Sequence, residues 1–262
     1  MHLRIAVPVF AAAVALCGCD IVTADLRSEE SASWHKSYTI DAKGRIEIHN
    51  VNGKIQVEPS TGNAVEVDAT RKARGASPEA AKAALDRVSI AEDVTPGRIR
   101  IDTKVTRNEG LSFMSGGVQV EYHVKVPAGA EAVFATVNGG VEISGLEGHV
   151  VAEATNGGVT ARNVAGQLEA STTNGGLDID LQRMPEGGVK LECTNGGIKV
   201  RVPRDAKANV SASIANGGIS VENLPIDTSG ENSRRRLDAS LNGGGPRLEA
   251  QGVNGGIRLI AR

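Results

Sequence analysis

Cysteine side chains offer the strongest nucleophilic chemistry in this sequence, and two of the three lie near the start of the chain. Cys17 and Cys19 end a stretch in which Arg4 is followed by 12 apolar residues, Ile5 to Leu16. A basic residue, a short apolar segment and small residues at its end are typical of a secretory signal peptide. The segment is too short to cross a bilayer as a helix, which takes about 20 apolar residues. Residues 1–18 are therefore predicted to direct export.

The residues Leu16-Cys17-Gly18-Cys19 resemble the lipobox of bacterial lipoproteins. The resemblance implies cleavage before Cys19 and attachment of lipid to its sulfur, which would anchor the chain to a membrane. Asp20 follows, and an Asp at this position resembles the signal for retention in the inner membrane. The expected location is the cell envelope, on the periplasmic side. Open alternatives are an ordinary cleaved signal that ends near a cysteine and an uncleaved buried helix.

The third cysteine, Cys193, would be the only thiol left after cleavage and lipidation, so no disulfide is expected within the chain. Cys193 falls on a position that the repeat described below directs inward. A buried, unreactive thiol is favoured over a reactive one.

The sequence offers little other catalytic or ligand-binding chemistry. The five histidines show no spacing typical of metal ligands, and no Phe, Tyr or Trp follows Val141, so aromatic platforms for sugars are absent from the repeats. The 29 Lys and Arg are interspersed with 31 Asp and Glu, which argues against a nucleic-acid partner. We expect no enzyme activity, no metal and no cofactor.

The tripeptide Asn-Gly-Gly occurs seven times, and the first five copies are spaced 18 or 21 residues apart. Apolar residues alternate with polar ones before and after each Asn, which is the period of a strand with one buried face. Asn and Gly accept positive φ, so each unit is predicted to be strand, turn, strand. With Asn52-Gly53, the predicted turn residues are Asn52, Asn138, Asn156, Asn174, Asn195, Asn216, Asn242 and Asn254.

Two architectures fit these units. A meander of hairpins is possible, because Asn-Gly is a strong hairpin signal. The constant phase of the Asn and the many small inward residues favour a solenoid, in which equivalent residues of successive coils stack. Counting in steps of two directs the Asn inward, where stacked amides would hydrogen-bond to one another. The predicted fold class is all-β, a β-solenoid of 18–21-residue coils with a small N-terminal α+β cap.

Four segments are expected: a signal peptide at 1–18, an irregular tether at 19–43, a cap of strands and a helix at 44–130, and the solenoid at 131–262. The tether is polar and lacks a periodic pattern. The helix is expected near Ser77-Pro78, because Ser is a good N-cap and Pro suits the first turn.

Three parts of the sequence, Ile46 to Gly53, Tyr122 to Pro127 and the Asn-Gly-Gly array, resemble the DUF4097 adhesin-like family of β-strand repeat proteins. The resemblance covers roughly residues 44–262. It implies the repeat fold, but it carries over no catalytic or ligand residues, because the family has none established.

Two surface features remain open. Thr155, Thr173 and Thr194 align before the Asn and suggest either a flat threonine array or, as we favour, cross-strand packing. The run 234–236 of three Arg is favoured as a solvated loop, with contact to an anionic surface as the alternative.

The function expected from the sequence is an envelope-anchored binding module for a protein or glycan. A regulatory or stress-linked envelope protein and, less favoured, a β-helix carbohydrate-active enzyme are the alternatives.

Overall fold

The computed structural model describes residues 28–41, 43–106, 117–228 and 232–262, in which strands predominate and there is one short helix. Its elements are β1 Ser28–Thr39, β2 Arg45–Asn52, β3 Ile55–Ser60, β4 Ala64–Gly75, α1 Pro78–Leu85, β5 Val88–Thr95, β6 Arg98–Val105, β7 Val118–Pro127, β8 Glu131–Asn138, β9 Val141–Ser144, β10 Val150–Asn156, β11 Val159–Val164, β12 Leu168–Asn174, β13 Leu177–Leu181, β14 Val189–Asn195, β15 Ile198–Val202, β16 Ala208–Glu222, β17 Ile226–Thr228, β18 Arg236–Leu241 and β19 Arg247–Ala261.

Each coil of the fold consists of one strand before the Asn-Gly turn and one after it. The strands before the turn stack in parallel as a first row, β2, β8, β10, β12 and β14. The strands after it stack in parallel as a second row, β3, β9, β11, β13 and β15. The two long strands β16 and β19 pass through the turn and belong to both rows. The solenoid prediction is confirmed, and the hairpin meander is wrong for these coils.

The stacking register follows the sequence repeat. Asn156 pairs with Asn138 on one side and Asn174 on the other, so residues 18 apart lie side by side. Three residues after the Asn, one inward column has at most 1% exposure in six coils, and its members are Ile55, Val141, Val159, Leu177, Ile198 and Ile257. Stacked aliphatic side chains therefore form most of the core, and they fill it without any aromatic residue in the coils after Val141.

The last two coils do not follow chain order. Strand β19 lies between β14 and β16 in the first row and between β15 and β16 in the second. The chain passes over the end of the solenoid as β17 and β18, which extend the first row antiparallel, and then returns between two coils. The sequence did not indicate this exchange.

The N-terminal part is built differently from the prediction. Strands β2 and β3 form a full coil that stacks on β8 and β9, so residues 45–60 belong to the solenoid and not to the cap. Strands β6 and β7 pair in parallel with β2 and β3. The antiparallel strands β1, β4 and β5 and helix α1 lie beyond them, and Ser77 caps the helix by accepting from the Ala80 N–H at 3.2 Å.

The prediction of an irregular tether is wrong for residues 28–39, which form β1 and pair with β4 along their whole length. The pairing is favourable because Ala32, Trp34 and Tyr38 alternate along one side of β1 and are partly buried there. Residues 1–27 lie outside the described residues, and with them the signal peptide, Cys19 and Asp20.

Candidate functional site

The Asn side chains form a continuous hydrogen-bonded ladder along the solenoid. After the first Asn, each Nδ2 donates to the Oδ1 of the Asn before it in the stack, with six bonds of 2.7–3.0 Å. Their order in space is Asn52, Asn138, Asn156, Asn174, Asn195, Asn254 and Asn216. The ladder fixes the coils in register at one corner.

The expected inward direction of these Asn is wrong. The six Asn from Asn138 to Asn254 in the ladder are exposed, and Asn52 is half-buried. Positive φ falls on the Gly that follows, such as Gly157 and Gly196, and not on the ladder Asn. The Asn is therefore explained by its side chain, which can both donate and accept.

Asn242 has a different role from the other repeat Asn. It has a φ of 50°, and its amide donates to the carbonyls of Arg204 and Ala206 at 3.0 and 2.8 Å. It thus stabilises the turn between β18 and β19, outside the ladder.

The thiol of Cys193 stabilises the same corner from the inner side of the coil. It is 3% exposed, and its Sγ donates to the Gly175 carbonyl oxygen at 3.3 Å. Thr172 occupies the equivalent place one coil away and donates to the Gly157 carbonyl at 2.7 Å. Burial raises the pKa of the Cys193 thiol, so its reactive thiolate is disfavoured. Cys193 is a buried structural residue, as the sequence indicated.

The threonine column and the arginine run occupy the surface in distinct ways. Thr155, Thr173 and Thr194 are exposed on the first row, directly before the ladder. The backbone carbonyls of Arg234 and Arg235 accept from the N–H groups of Ile219 and Ile214, at 3.0 and 2.9 Å. Arg234 and Arg235 therefore cover part of the last coil, and Arg236 begins strand β18.

A groove of about 490 Å³ lies on the outer side of the second row. It crosses β4, β7, β3, β9 and β11. Its polar side chains include Gln56, Asp68, His123, Lys125, Thr160 and Arg162. Both the coils and the antiparallel N-terminal strands contribute to it.

Hydrogen bonds hold the acidic side of the groove in place. Glu142 accepts from Lys54 Nζ at 2.6 Å and from Gln56 Nε2 at 3.0 Å. The Lys54 hydrogen bond lowers the pKa of Glu142 against the opposing effect of its partial burial. Glu142 is therefore a fixed negative charge at neutral pH.

Arg162 continues the groove toward the following coils. It donates to Asp178 at 2.9 Å, and Arg201 donates to the same carboxylate at 2.6 Å. Partial burial would raise the pKa of Asp178, but the hydrogen bonds from Arg201 and Arg162 outweigh it and lower that pKa. This pairing orients the Arg162 guanidinium beside Thr160.

The groove has the chemistry of a binding surface. Carboxylates, cations, an imidazole and hydroxyls converge on it, and none of the aromatic side chains in the described part of the chain lines it. Its serine, Ser144, donates to the Val57 carbonyl at 3.4 Å and so is not paired with a base. The outer positions of the coils were apparent from the sequence, but the contribution of Asp68 and His123 was missed, because it depends on long-range pairing of β4 and β7.

The described residues contain neither a metal-binding cluster nor a membrane-spanning helix. No group of three or more His, Cys, Asp or Glu side chains there is arranged to hold a metal ion. In the same residues, no helix has the length and apolar character needed to span a membrane.

Several solved structures are similar to this chain. A "putative cell adhesion protein" from Clostridium sporogenes is 12% identical, with a TM-score of 0.48 over 89% of this chain and 100% of the other. A "putative adhesin" from Parabacteroides distasonis is 14% identical, with a TM-score of 0.28 over 88% and 97%. No curated protein matches.

The family comparison agrees with the repeat architecture. The model of the Toastrack DUF4097 family matches residues 41–259, which is most of the chain and includes every coil of the solenoid. The chain therefore belongs to the Toastrack DUF4097 family.

Proposed function

We propose that this protein is an exported envelope lipoprotein, anchored through Cys19, whose solenoid binds a protein or glycan partner without catalysis. The groove of the second row supports the binding role, because it presents fixed charges and hydrogen-bonding groups on a rigid scaffold. Asp20 favours the inner membrane, with the solenoid in the periplasm.

The segment between Cys19 and strand β1 is short, which limits how far the solenoid could lie from a lipid anchor. Only eight residues, 20–27, separate Cys19 from the beginning of β1. Fully extended, they reach about 28 Å. A lipid on Cys19 would therefore keep the N-terminal end of the solenoid close to the membrane.

The anchor is tested by replacing Cys19 with Ser. We expect the Cys19→Ser chain to leave the membrane fraction and to lose the mass of the lipid, because Ser lacks the thiol to which the acyl chains would be attached. Cys193→Ser is the matched control, since it removes a thiol that is buried in the fold. A Cys19→Ser chain that still fractionates as a lipidated membrane protein would contradict the anchor.

The groove is tested with a benzophenone photocrosslinker placed at Thr160 in the full chain, in intact cells. The matched control carries the same group at Thr173, an exposed Thr on the first row. We expect a discrete adduct from Thr160 alone, and we expect Lys125→Glu to weaken it at least several-fold by reversing a charge in the groove. Protease and glycosidase digestion of the adduct distinguish a protein from a glycan.

Two results would contradict the proposal that the groove binds a specific partner. One is the same set of adducts from both positions, which would indicate random encounters. The other is a Thr160 adduct that Lys125→Glu leaves unchanged.

A further inference from the structure

Strand β1 is the outermost strand of the second row and has one partner among the described residues. Its 12 residues pair with β4 without a register shift, from Ser28 opposite Gly75 to Thr39 opposite Ala64. The backbone N–H and C=O groups on the other edge of β1 therefore have no strand to bond to in the described chain. Such an edge is a template for a further strand.

The edge of β1 carries charged side chains but lacks other features that protect outer strands. It contains no Pro and no bulge, and it is longer than the terminal strand β17, which has three residues. The other long terminal strand, β5, carries the neighbouring acids Glu92 and Asp93 and no basic residue, so a second copy of it would be repelled. Strand β1 carries charges of both signs.

The sides of β1 are fixed by its pairing with β4. The even-numbered residues lie opposite the buried Val65, Val67, Ala69 and Ala73, so they point toward the core side of the row. The odd-numbered residues Ser31, Ser33, His35 and Ser37 point outward and are exposed. Antiparallel pairing of two β1 strands in one continuous sheet must place even residues opposite even residues.

We propose that β1 pairs antiparallel with β1 of a second copy, across a twofold axis at Ser33, so that the second row continues through a dimer. In this register Glu30 of each copy lies opposite Lys36 of the other, and Ala32 lies opposite Trp34. Opposite charges face each other twice, and the partly exposed Trp34 gains an apolar neighbour. Moving the axis to Ala32 or Trp34 would instead place Glu30 opposite an aromatic ring.

The twofold arrangement closes on itself. Each copy uses the same edge, so the association stops at a dimer and does not form a fibre. If Cys19 is the anchor proposed above, an axis normal to the membrane places both chain starts at equal height over one leaflet. The dimer itself does not depend on the anchor.

Cysteine scanning along β1 tests the axis, with the full chain in intact cells and non-reducing electrophoresis as the readout. We expect Ser33→Cys to form a disulfide-linked dimer on mild oxidation, because cross-strand Cβ atoms are about 5 Å apart. Ser31→Cys and Ser37→Cys are matched controls from the same exposed face of β1. Ser31 would lie about 14 Å and Ser37 about 27 Å from its own copy, both too far for a disulfide. The unsubstituted chain gives the background.

A charge exchange tests the register. Glu30→Lys or Lys36→Glu alone is expected to lower the Ser33→Cys dimer yield several-fold, and the two together are expected to restore it. Lys36 also lies 3.6 Å from Glu92 of its own chain, so the readout is the dimer yield and not the stability. Equal crosslinking at all three serines, crosslinking only to other proteins, or no rescue by the double variant would overturn the proposal.

Discussion

Replacing Gly196 with Ala is expected to lower the free energy of unfolding by about 3 kcal/mol, because the added methyl group has no space between the stacked coils. Gly196 has a φ of 151° and follows Asn195 at the corner of its coil. A Cβ at this position would overlap the Gly175 carbonyl oxygen of the neighbouring coil and lie 3.3 Å from Cys193 Sγ. The coils would have to separate at the corner where the ladder and the Cys193 hydrogen bond hold them together.

The adjacent Gly197 is a matched control for this substitution. A Cβ there would lie 3.6 Å from the Gly256 carbonyl oxygen, which is ordinary contact, and its φ is not in the left-handed region. We expect Gly197→Ala to change the unfolding free energy by less than about 1 kcal/mol. Urea unfolding gives both values, and equal midpoints for the two variants would show that the first Gly of the turn is not constrained by stacking.

The repeat predicted the stacking because register in a parallel solenoid depends on local pattern. Inward residues alternate on both sides of each Asn, and the spacing of 18 or 21 residues returns the chain to the same place one coil on. The amide ladder followed from that register. Helix α1 was also apparent, because its cap and first turn are local signals at Ser77 and Pro78.

The direction of the Asn was mistaken because counting in steps of two assumes an unbroken strand. The chain bends between Ala154, which is buried, and Gly157, so Thr155 and Asn156 are both exposed. The alternation of inward and outward side chains is interrupted at the corner, so the Asn amide lies on the outside of the coil.

Two long-range features had no local signal. Strand β1 is rich in Ser and charged residues, and it is a strand because β4 offers a complementary edge. The position of β19 between β15 and β16 was hidden because Ile198, Ile219 and Ile257 occupy equivalent places, and any order would stack an aliphatic column. The groove was missed for the same reason, since its β4 and β7 residues come from distant parts of the sequence.

A second large effect is expected at Glu47, an acidic residue on the outer side of the first row. Its side chain is 9% exposed and accepts from Arg98 at 2.8 Å and from Arg45 at 2.7 Å. Arg100 and His49 lie at 3.8 and 4.0 Å from the same carboxylate. The hydrogen bond from Arg98 contributes most to lowering the pKa of Glu47 to about 2, against the effect of burial.

This shift makes part of the stability depend on pH. The folded pKa lies below the ordinary value of 4.5, so the stabilisation is present above pH 4.5 and is lost as pH falls toward 2. A shift of this size corresponds to about 3 kcal/mol. We expect Glu47→Gln to lose a comparable amount at pH 7 and to flatten the decline in unfolding free energy between pH 4.5 and 2.

The control is Glu153→Gln, which neutralises an exposed carboxylate of the first row for which the described structure shows no ion pair. It should leave the stability at pH 7 and the acid decline unchanged, because an exposed lone carboxylate contributes little. Parallel pH profiles for the Glu47→Gln and unsubstituted chains would place the acid sensitivity in other groups. A profile flattened only by Glu47→Gln would identify the arginine-bound carboxylate as the group that joins β2 to β6 at the N-terminal end of the solenoid, since Arg45 and Arg98 lie on these two paired strands.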